Sequence, residues 1–380
     1  MSRSEIRAVA AGAALGAALV ILWKRSTVAR RTVEEVAPAE PIEAPVAAAE
    51  PELAVEAAPQ TRVDPAGLPA VLVTGAGGTA GVCVIRALKE AGARVVAADP
   101  DDTAVGLQLA DAGGTVPLAD DPDFIAVLCE LGAAHGAQAI VSTVAGELPV
   151  LVDGSAAIAA AGLASWLPDP AAVRLCLDKW AFAQAADAAG IPHPPTNLGR
   201  ANGVPGPWIV KSRFGGGSRA VHTADDPSEL EWAIAGTPNA IVQTRLEGLE
   251  FTIDALVDRD GTFAGAVPRW RLEADAGVST KGRTFEDPHL VAQAEALVSA
   301  LGLEGPVSVR GFMLSSNGLY CFTGVNPCFS GGLSLSLAAG ADLVGEYVRG
   351  ILDLPLRRER LVHQPGVTME RFYDEVILGA

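Results

Sequence analysis

Lysine is scarce in this chain: Lys24, Lys89, Lys179, Lys211 and Lys281 are all there are in 380 residues. No basic cluster stands outside the first 31 residues and the formal net charge is -17, which excludes a phosphate-backbone partner such as DNA or RNA. Cysteines are few and unpatterned. Cys83, Cys129, Cys176, Cys321 and Cys328 form no CxxC or Cys/His spacing, so neither a zinc site nor a disulfide framework is indicated, and they read as reduced thiols in a cytosolic domain. The tyrosines are Tyr320, Tyr347 and Tyr373, none with a lysine four residues on, so the Tyr-xxx-Lys pair of a short-chain reductase is missing. Between Glu304 and Asp342 there is no acidic residue at all.

What is present fits an α/β chain with more than one core, at 49% hydrophobic residues with 41 Gly and 26 Pro. Residues Ala8 to Trp23 are apolar or small, between Arg7 and Lys24-Arg25. At about 1.5 Å per residue they span roughly 24 Å, enough for a membrane helix whose flanking residues snorkel. A cleaved targeting peptide is the rival reading, but no small-residue cleavage site follows. Lys24, Arg25, Arg30 and Arg31 outnumber Arg3 and Arg7, which predicts a single-pass anchor with the downstream globular part cytoplasmic. Gly12 and Gly16 have the small-xxx-small spacing of helix self-association, cheap in an Ala/Gly-rich helix. Residues 32–69, rich in Ala, Pro and Glu, read as a disordered tether.

From Ala70 the pattern alternates. Val71-Leu72-Val73 precedes the glycine-rich turn Thr74 to Gly81, a helix to Ala91, and a strand over Arg94 to Ala98 that ends at Asp99. Further alternation, with a strand near Thr115–Leu118, a helix over Pro122–His135 and a strand over Gln138–Thr143, predicts a Rossmann-like doubly wound sheet over 70–168. The turn with Asp99 matches a dinucleotide fingerprint, which keeps an NAD(P)-dependent reductase among the readings. The other reading gives the glycines only a tight turn, or a small-substrate site.

More specific motifs follow in order. They are Leu177-Asp178-Lys179-Trp180; Trp208-Ile209-Val210-Lys211 with Gly215-Gly216-Gly217-Ser218; Gln243 to Glu250; and Gly305 to Arg310 followed by Val325-Asn326-Pro327-Cys328. Lysines beside a glycine loop can present charge and backbone N–H groups to phosphate oxygens. In order and spacing the chain resembles the ATP-grasp superfamily, nearest to single-module relatives of the carbamoyl phosphate synthase large subunit. The resemblance runs from about Val71 to Leu354. It implies a Rossmann-like pre-ATP-grasp domain, then an ATP-grasp fold of two α+β subdomains over 169–356, with 357–380 as a C-terminal tail.

By resemblance, Lys179, Lys211, Gly215, Gly216, Gly217 and Ser218 meet the phosphates of ATP, Gln243 with Thr244-Leu246 forms the adenine hinge, and Glu250 takes the ribose hydroxyls. Lys179 as a helix-surface cation and Glu250 as a solvated strand residue are the plain alternatives. The loop segments Pro268–Glu273 and Gly277–Gly282 supply Arg269, Arg271 and Lys281 as catalytic candidates facing a phosphate or acyl group, unless they form an ordinary charged loop. Members of the family are ligases that activate a carboxylate as an acyl phosphate with Mg²⁺.

The resemblance fails at the metal. The family's ligands are an acid or Gln where Arg310 stands, Glu where Gly324 stands, and the Asn matched by Asn326. The arginine after Asn-Pro is replaced by Cys328. Asn326 is thus the one retained ligand, and Mg²⁺ is expected to be absent or weakly held. The leading expectation is a membrane-tethered, catalytically degenerate binder of ATP or a related nucleotide, possessing room for a small carboxylate and acting as sensor or scaffold. An active carboxylate–amine ligase is the alternative, and the NAD(P)-dependent reductase a second.

Overall fold

The structure is a computed structural model that describes residues 68–215, 221–275, 277–372 and 375–377. The expected membrane segment 8–23, its Gly12 and Gly16, and the tether lie outside the described residues. Among the described residues no helix is long and apolar enough to cross a membrane.

Short, continuously apolar runs make the first sheet, as expected for strands covered on both faces. Strands β1 (Val71–Thr74), β2 (Val95–Asp99), β3 (Ala112–Thr115) and β4 (Ala139–Ser142) pair in parallel in the order β3-β2-β1-β4. Helix α1 (Thr79–Glu90) follows the glycine turn, α2 (Val105–Leu109) follows β2, and α3 (Phe124–Ala134) precedes β4. Gly81 is needed in the first turn of α1, because a Cβ there would stand 2.1 Å from the Gly75 carbonyl oxygen. β3 lies nearer the N-terminus than Thr115–Leu118. Its Ala-Gly-Gly-Thr run has little strand propensity, and its place is set instead by pairing with Val96–Asp99. Two short helices follow, α4 (Leu148–Asp153) and α5 (Ser155–Ala160).

Helices α6 (Pro170–Leu177) and α7 (Lys179–Ala188) start on Asp169 and Asp178, whose side chains accept the first free backbone N–H groups. A four-stranded antiparallel sheet follows, from β5 (Thr196–Leu198), β6 (Trp208–Ser212), β7 (Val221–Ala224) and β8 (Ala240–Thr244), ordered β5-β8-β6-β7. Helix α8 (Pro227–Gly236) packs Leu230 and Ala233 on its Val210 and Val242.

The second antiparallel sheet has six strands: β9 (Gly248–Val257), β10 (Phe263–Asp275), β11 (Val278–Thr284), β12 (Gly305–Leu314), β13 (Tyr320–Asn326) and β14 (Thr368–Glu370), in the order β13-β12-β9-β10-β11-β14. Alternation divides its faces. Phe251, Ile253, Val307 and Val309 join Leu290, Ala294 and Leu297 of helix α9 (Pro288–Ala300) in one core. The other side chains of the same strands, Glu250, Thr252, Asp254, Ser308 and Arg310, give the sheet a polar face. Helices α10 (Leu333–Ala338) and α11 (Leu343–Ile351) complete the domain. Val344, Tyr347 and Val348 of α11 share a core cluster with Val84, Ile85 and Leu88 of α1.

Two expectations change here. Pro268–Glu273 and Gly277–Gly282 are not loops, because they form the β10–β11 hairpin, paired from Arg269 with Thr284 to Asp275 with Val278. Residues 357–380 are not simply a tail: Lys281, Gly282 and Arg283 pair with Thr368–Glu370, which closes the sheet edge.

Candidate functional site: a cation-lined cleft

Between the two antiparallel sheets lies a cleft of about 640 Å³. It brings together Lys179, Lys211, Gly215, Gln243, Glu250, Arg310 and Asn326 from separate stretches of sequence, with Ile209, Phe214, Leu246 and Phe312 as apolar wall. Gly216, Gly217 and Ser218 lie outside the described residues.

Asp178 and Lys179 hold the start of the glycine loop. The carboxylate of Asp178 takes a forked pair of hydrogen bonds from Arg213, at 2.7 and 2.6 Å, while it also caps α7. Nζ of Lys179 donates to the Gly215 carbonyl at 2.6 Å. Burial lowers the Lys179 pKa, against the charge of Asp178. Lys179 is therefore a loop brace as well as a cleft cation, and not a surface charge.

Lys211 and Arg310 are different, for among the described residues neither has an acid within ion-pair distance and Arg310 Nε has no hydrogen-bond partner. Burial pulls Lys211 down to about 8, and the positive charges of Lys179 and Arg310 add to the effect. Arg310 is lowered by burial as well, against the attraction of Glu250. Among the described residues neither of these partly buried cations is ion-paired, an arrangement that suits an anion.

Among the described residues lining the cleft Glu250 is the one acid, and it is already engaged by Arg271 Nη1 at 2.9 Å. Arg271 also donates to the Gly277 carbonyl at 3.0 Å. Gln243 on β8 donates through Nε2 to Thr196 Oγ1 at 2.8 Å. Beside it, Thr244 donates its hydroxyl to the Pro205 carbonyl and Arg245 pairs with Asp225 at 2.8 Å.

The donor set does not fit a magnesium ion, which wants several oxygen ligands, usually carboxylates. Arg310 stands opposite Gly324, Asn326 offers one neutral oxygen, and Glu250 is held by Arg271. Among the described residues no three His, Cys, Asp or Glu side chains gather in a metal-binding group.

Of the three hairpin cations, Arg271 reaches the cleft through its ion pair with Glu250, whereas Arg269 and Lys281 are engaged elsewhere. Arg269 is 2% exposed and pairs with Asp254 Oδ2 at 2.8 Å, with Ser330 Oγ 2.9 Å from its Nη2. Burial alone would raise the Asp254 pKa, but the Arg269 charge and the hydrogen bonds of Ser330 and Ser336 bring it below the ordinary value. Gly332 permits this arrangement, since a Cβ there would lie 2.5 Å from the Arg269 guanidinium carbon. Lys281 pairs with Glu370 at 3.5 Å on the β11–β14 side. Proximity in sequence suggested one role for three residues that β-pairing sends to three environments.

At the glycine turn, Asp99 spends both carboxylate oxygens on its own surroundings: Gly77 N–H donates to Oδ2 at 2.7 Å and Asp101 N–H to Oδ1 at 3.0 Å. A Cβ on Gly331 would come 2.7 Å from Thr79 Oγ1, so the loop after Asn326 packs on the N-terminus of α1. Close packing accounts for Gly75 and Gly81 of the turn, where a Cβ would come 2.3 Å from Val144 and 2.1 Å from the Gly75 carbonyl oxygen. Cys328 in that loop is buried, and burial pushes its thiol up to about 12.

A parallel sheet followed by two antiparallel sheets with a cleft between them is the arrangement of the ATP-grasp fold, and the C-terminal part of this chain matches an ATP-grasp family. Residues 236–373 match the family described as ATP-grasp in the biosynthetic pathway with Ter operon, and residues 71–165 match the PylC-like N-terminal domain. Among solved structures, the chain is similar to a biotin carboxylase in complex with a β,γ-ATP ligand from Campylobacter jejuni (TM-score 0.63, 17% identity, 78% of this chain and 74% of that one). It is also similar to N5-carboxyaminoimidazole synthetase from Staphylococcus aureus complexed with ADP (TM-score 0.60, 17% identity, 76% and 78%). A third is an L-amino acid ligase from Bacillus licheniformis (TM-score 0.61, 16% identity, 78% and 77%). At these identities the likeness is one of fold. No curated protein matches the sequence.

Proposed function

We propose that this protein binds ATP or a closely related nucleotide in the cleft without the metal-dependent ligase chemistry of its fold relatives, and works as a sensor or scaffold. The observation that carries the reading is the pair of cations, Lys211 and Arg310, that have no ion-pair partner among the described residues, at a place whose donors do not suit Mg²⁺. The cleft gives a polyphosphate Lys179, Lys211 and Arg310, and gives a base the apolar wall of Ile209, Phe214 and Leu246. Arg310 offers fixed charge and a fork of donors where an acyl-phosphate ligase needs a divalent ion between the β- and γ-phosphates. Relatives of the same fold were solved with ADP and with an ATP ligand, which supports a nucleotide as the anion. Tethering through residues 8–23, with the globular part cytoplasmic, belongs to the same proposal and rests on the sequence alone.

The alternative is an active carboxylate–amine ligase, supported by the fold shared with an L-amino acid ligase and by the retained Asn326. A reductase reading has less support, since both Asp99 oxygens are committed within the turn. Equilibrium binding of ATP to the full-length protein, repeated with Lys211→Ala, tests the main reading. Submillimolar affinity lost in the variant supports it; wild-type protein that binds no adenine nucleotide removes it.

A further inference from the structure

Thr196 on β5 stands directly opposite Gln243 on β8 in the small sheet. Its Oγ1 lies 2.7 Å from the Pro194 carbonyl oxygen and 2.8 Å from Gln243 Nε2. A carbonyl oxygen carries no proton, so the proton between Thr196 and Pro194 belongs to the threonine hydroxyl. With that proton spent, the threonine oxygen faces Gln243 only as an acceptor. The glutamine must therefore turn its NH₂ toward Thr196 and its carbonyl oxygen away. Gln243 is 5% exposed and lines the cleft, and among the described residues no hydrogen bond engages its Oε1.

We infer that Thr196 is a specificity-determining, positioning residue: through Gln243 it presents a fixed hydrogen-bond acceptor to the nucleobase, so that the cleft takes a purine with a 6-amino group and rejects one with a 6-oxo group. A 6-amino base donates to Oε1, whereas a 6-oxo base sets oxygen against oxygen. A free amide would resolve the clash by rotating half a turn. Here rotation would aim the amide oxygen at a hydroxyl already committed to Pro194, and so lose a hydrogen bond in a buried place. The inference rests on the nucleotide reading and goes beyond it by naming what chooses the base.

The test measures ATP and GTP binding to full-length wild-type protein, Thr196→Val and Thr196→Ser. Wild type is expected to prefer ATP. Thr196→Val keeps the shape but frees the amide, and its ATP-to-GTP preference should fall about tenfold. Thr196→Ser restores the hydroxyl and should keep the wild-type ratio, which a merely structural role of the side chain would not require. Equal binding of ATP and GTP by wild type, or a preference unchanged in Thr196→Val, overturns the inference while leaving nucleotide binding intact. Wild type that binds neither nucleotide overturns both.

Discussion

Arg310 and Gly324 face each other across the β12–β13 ladder, two rows from the pair Ser308 and Asn326 and on the same face of the sheet. A guanidinium thus stands against a residue without a side chain, at the end of the sheet's polar face that opens into the cleft. Fixed positive charge at this point serves a phosphate and repels a divalent cation, whichever acids stand farther off. Arg310→Ala should weaken ATP binding about tenfold or more, as expected when a charged hydrogen-bond donor is lost from a partly buried site. Calorimetric titration in metal-free buffer would show it, and unchanged affinity would remove Arg310 from the site.

Binding should also depend on pH through Lys211. Its pKa in the free protein is lowered to about 8 by burial and by its neighbouring cations. A bound polyphosphate favours the charged lysine and raises that value. Affinity is therefore full below pH 8 and falls as pH rises through it, by up to about tenfold per pH unit. A titration from pH 7.5 to 9.5 should show the decline in wild type and a flat, weaker profile in Lys211→Ala. A flat wild-type profile contradicts the assignment.

Glu250→Ala should weaken adenine nucleotide binding, whereas Gly77→Ala in the glycine turn should not. The added Cβ on Gly77 would meet Ala104 Cβ at 3.1 Å and Asp99 Oδ2 at 3.3 Å, contacts that a small shift relieves. NAD(P) binding that disappears in Gly77→Ala would reinstate the reductase reading.

Arg269 should matter to stability rather than to binding. Its loss leaves Asp254, 2% exposed, as an uncompensated buried charge, a change that costs about 3–5 kcal/mol. Arg269→Ala should lower the denaturation midpoint accordingly, measured by urea unfolding at neutral pH. The lowered pKa of Asp254 fixes the sign in wild type: the pair's contribution is present at neutral pH and is lost as pH falls below the ordinary carboxylate range. A wild-type midpoint in Arg269→Ala would contradict this account.

Much of this arrangement was legible in the sequence, because strand–turn–helix alternation over residues 71–142 follows local patterns, and the resemblance to the ATP-grasp superfamily singled out Lys179, Lys211, Gln243, Glu250 and Arg310, which line one cleft. Pairings between distant segments were not. Nothing local tells that Arg271 meets Glu250, that Arg269 turns inward to Asp254, or that Thr368–Glu370 completes the large sheet. Those contacts are decided by β-register, where a step of one residue sends a side chain to the opposite face. The Arg213–Asp178 fork was missed for a related reason: the Asp beside Lys179 was visible, but its partner lies 35 positions on.

Magnesium dependence tests the central claim most directly. A Cβ on Gly324 would meet nothing within 4 Å, so the backbone there has room for a side chain to start. In wild-type full-length protein, ATP affinity should be nearly the same with and without Mg²⁺, and no ADP should form with candidate carboxylates and amines. Gly324→Glu combined with Arg310→Gln should make binding metal-dependent, since it supplies oxygen ligands beside Asn326 and removes the opposing charge. Robust Mg²⁺-dependent ATP turnover by the wild-type protein would contradict the account and establish a ligase.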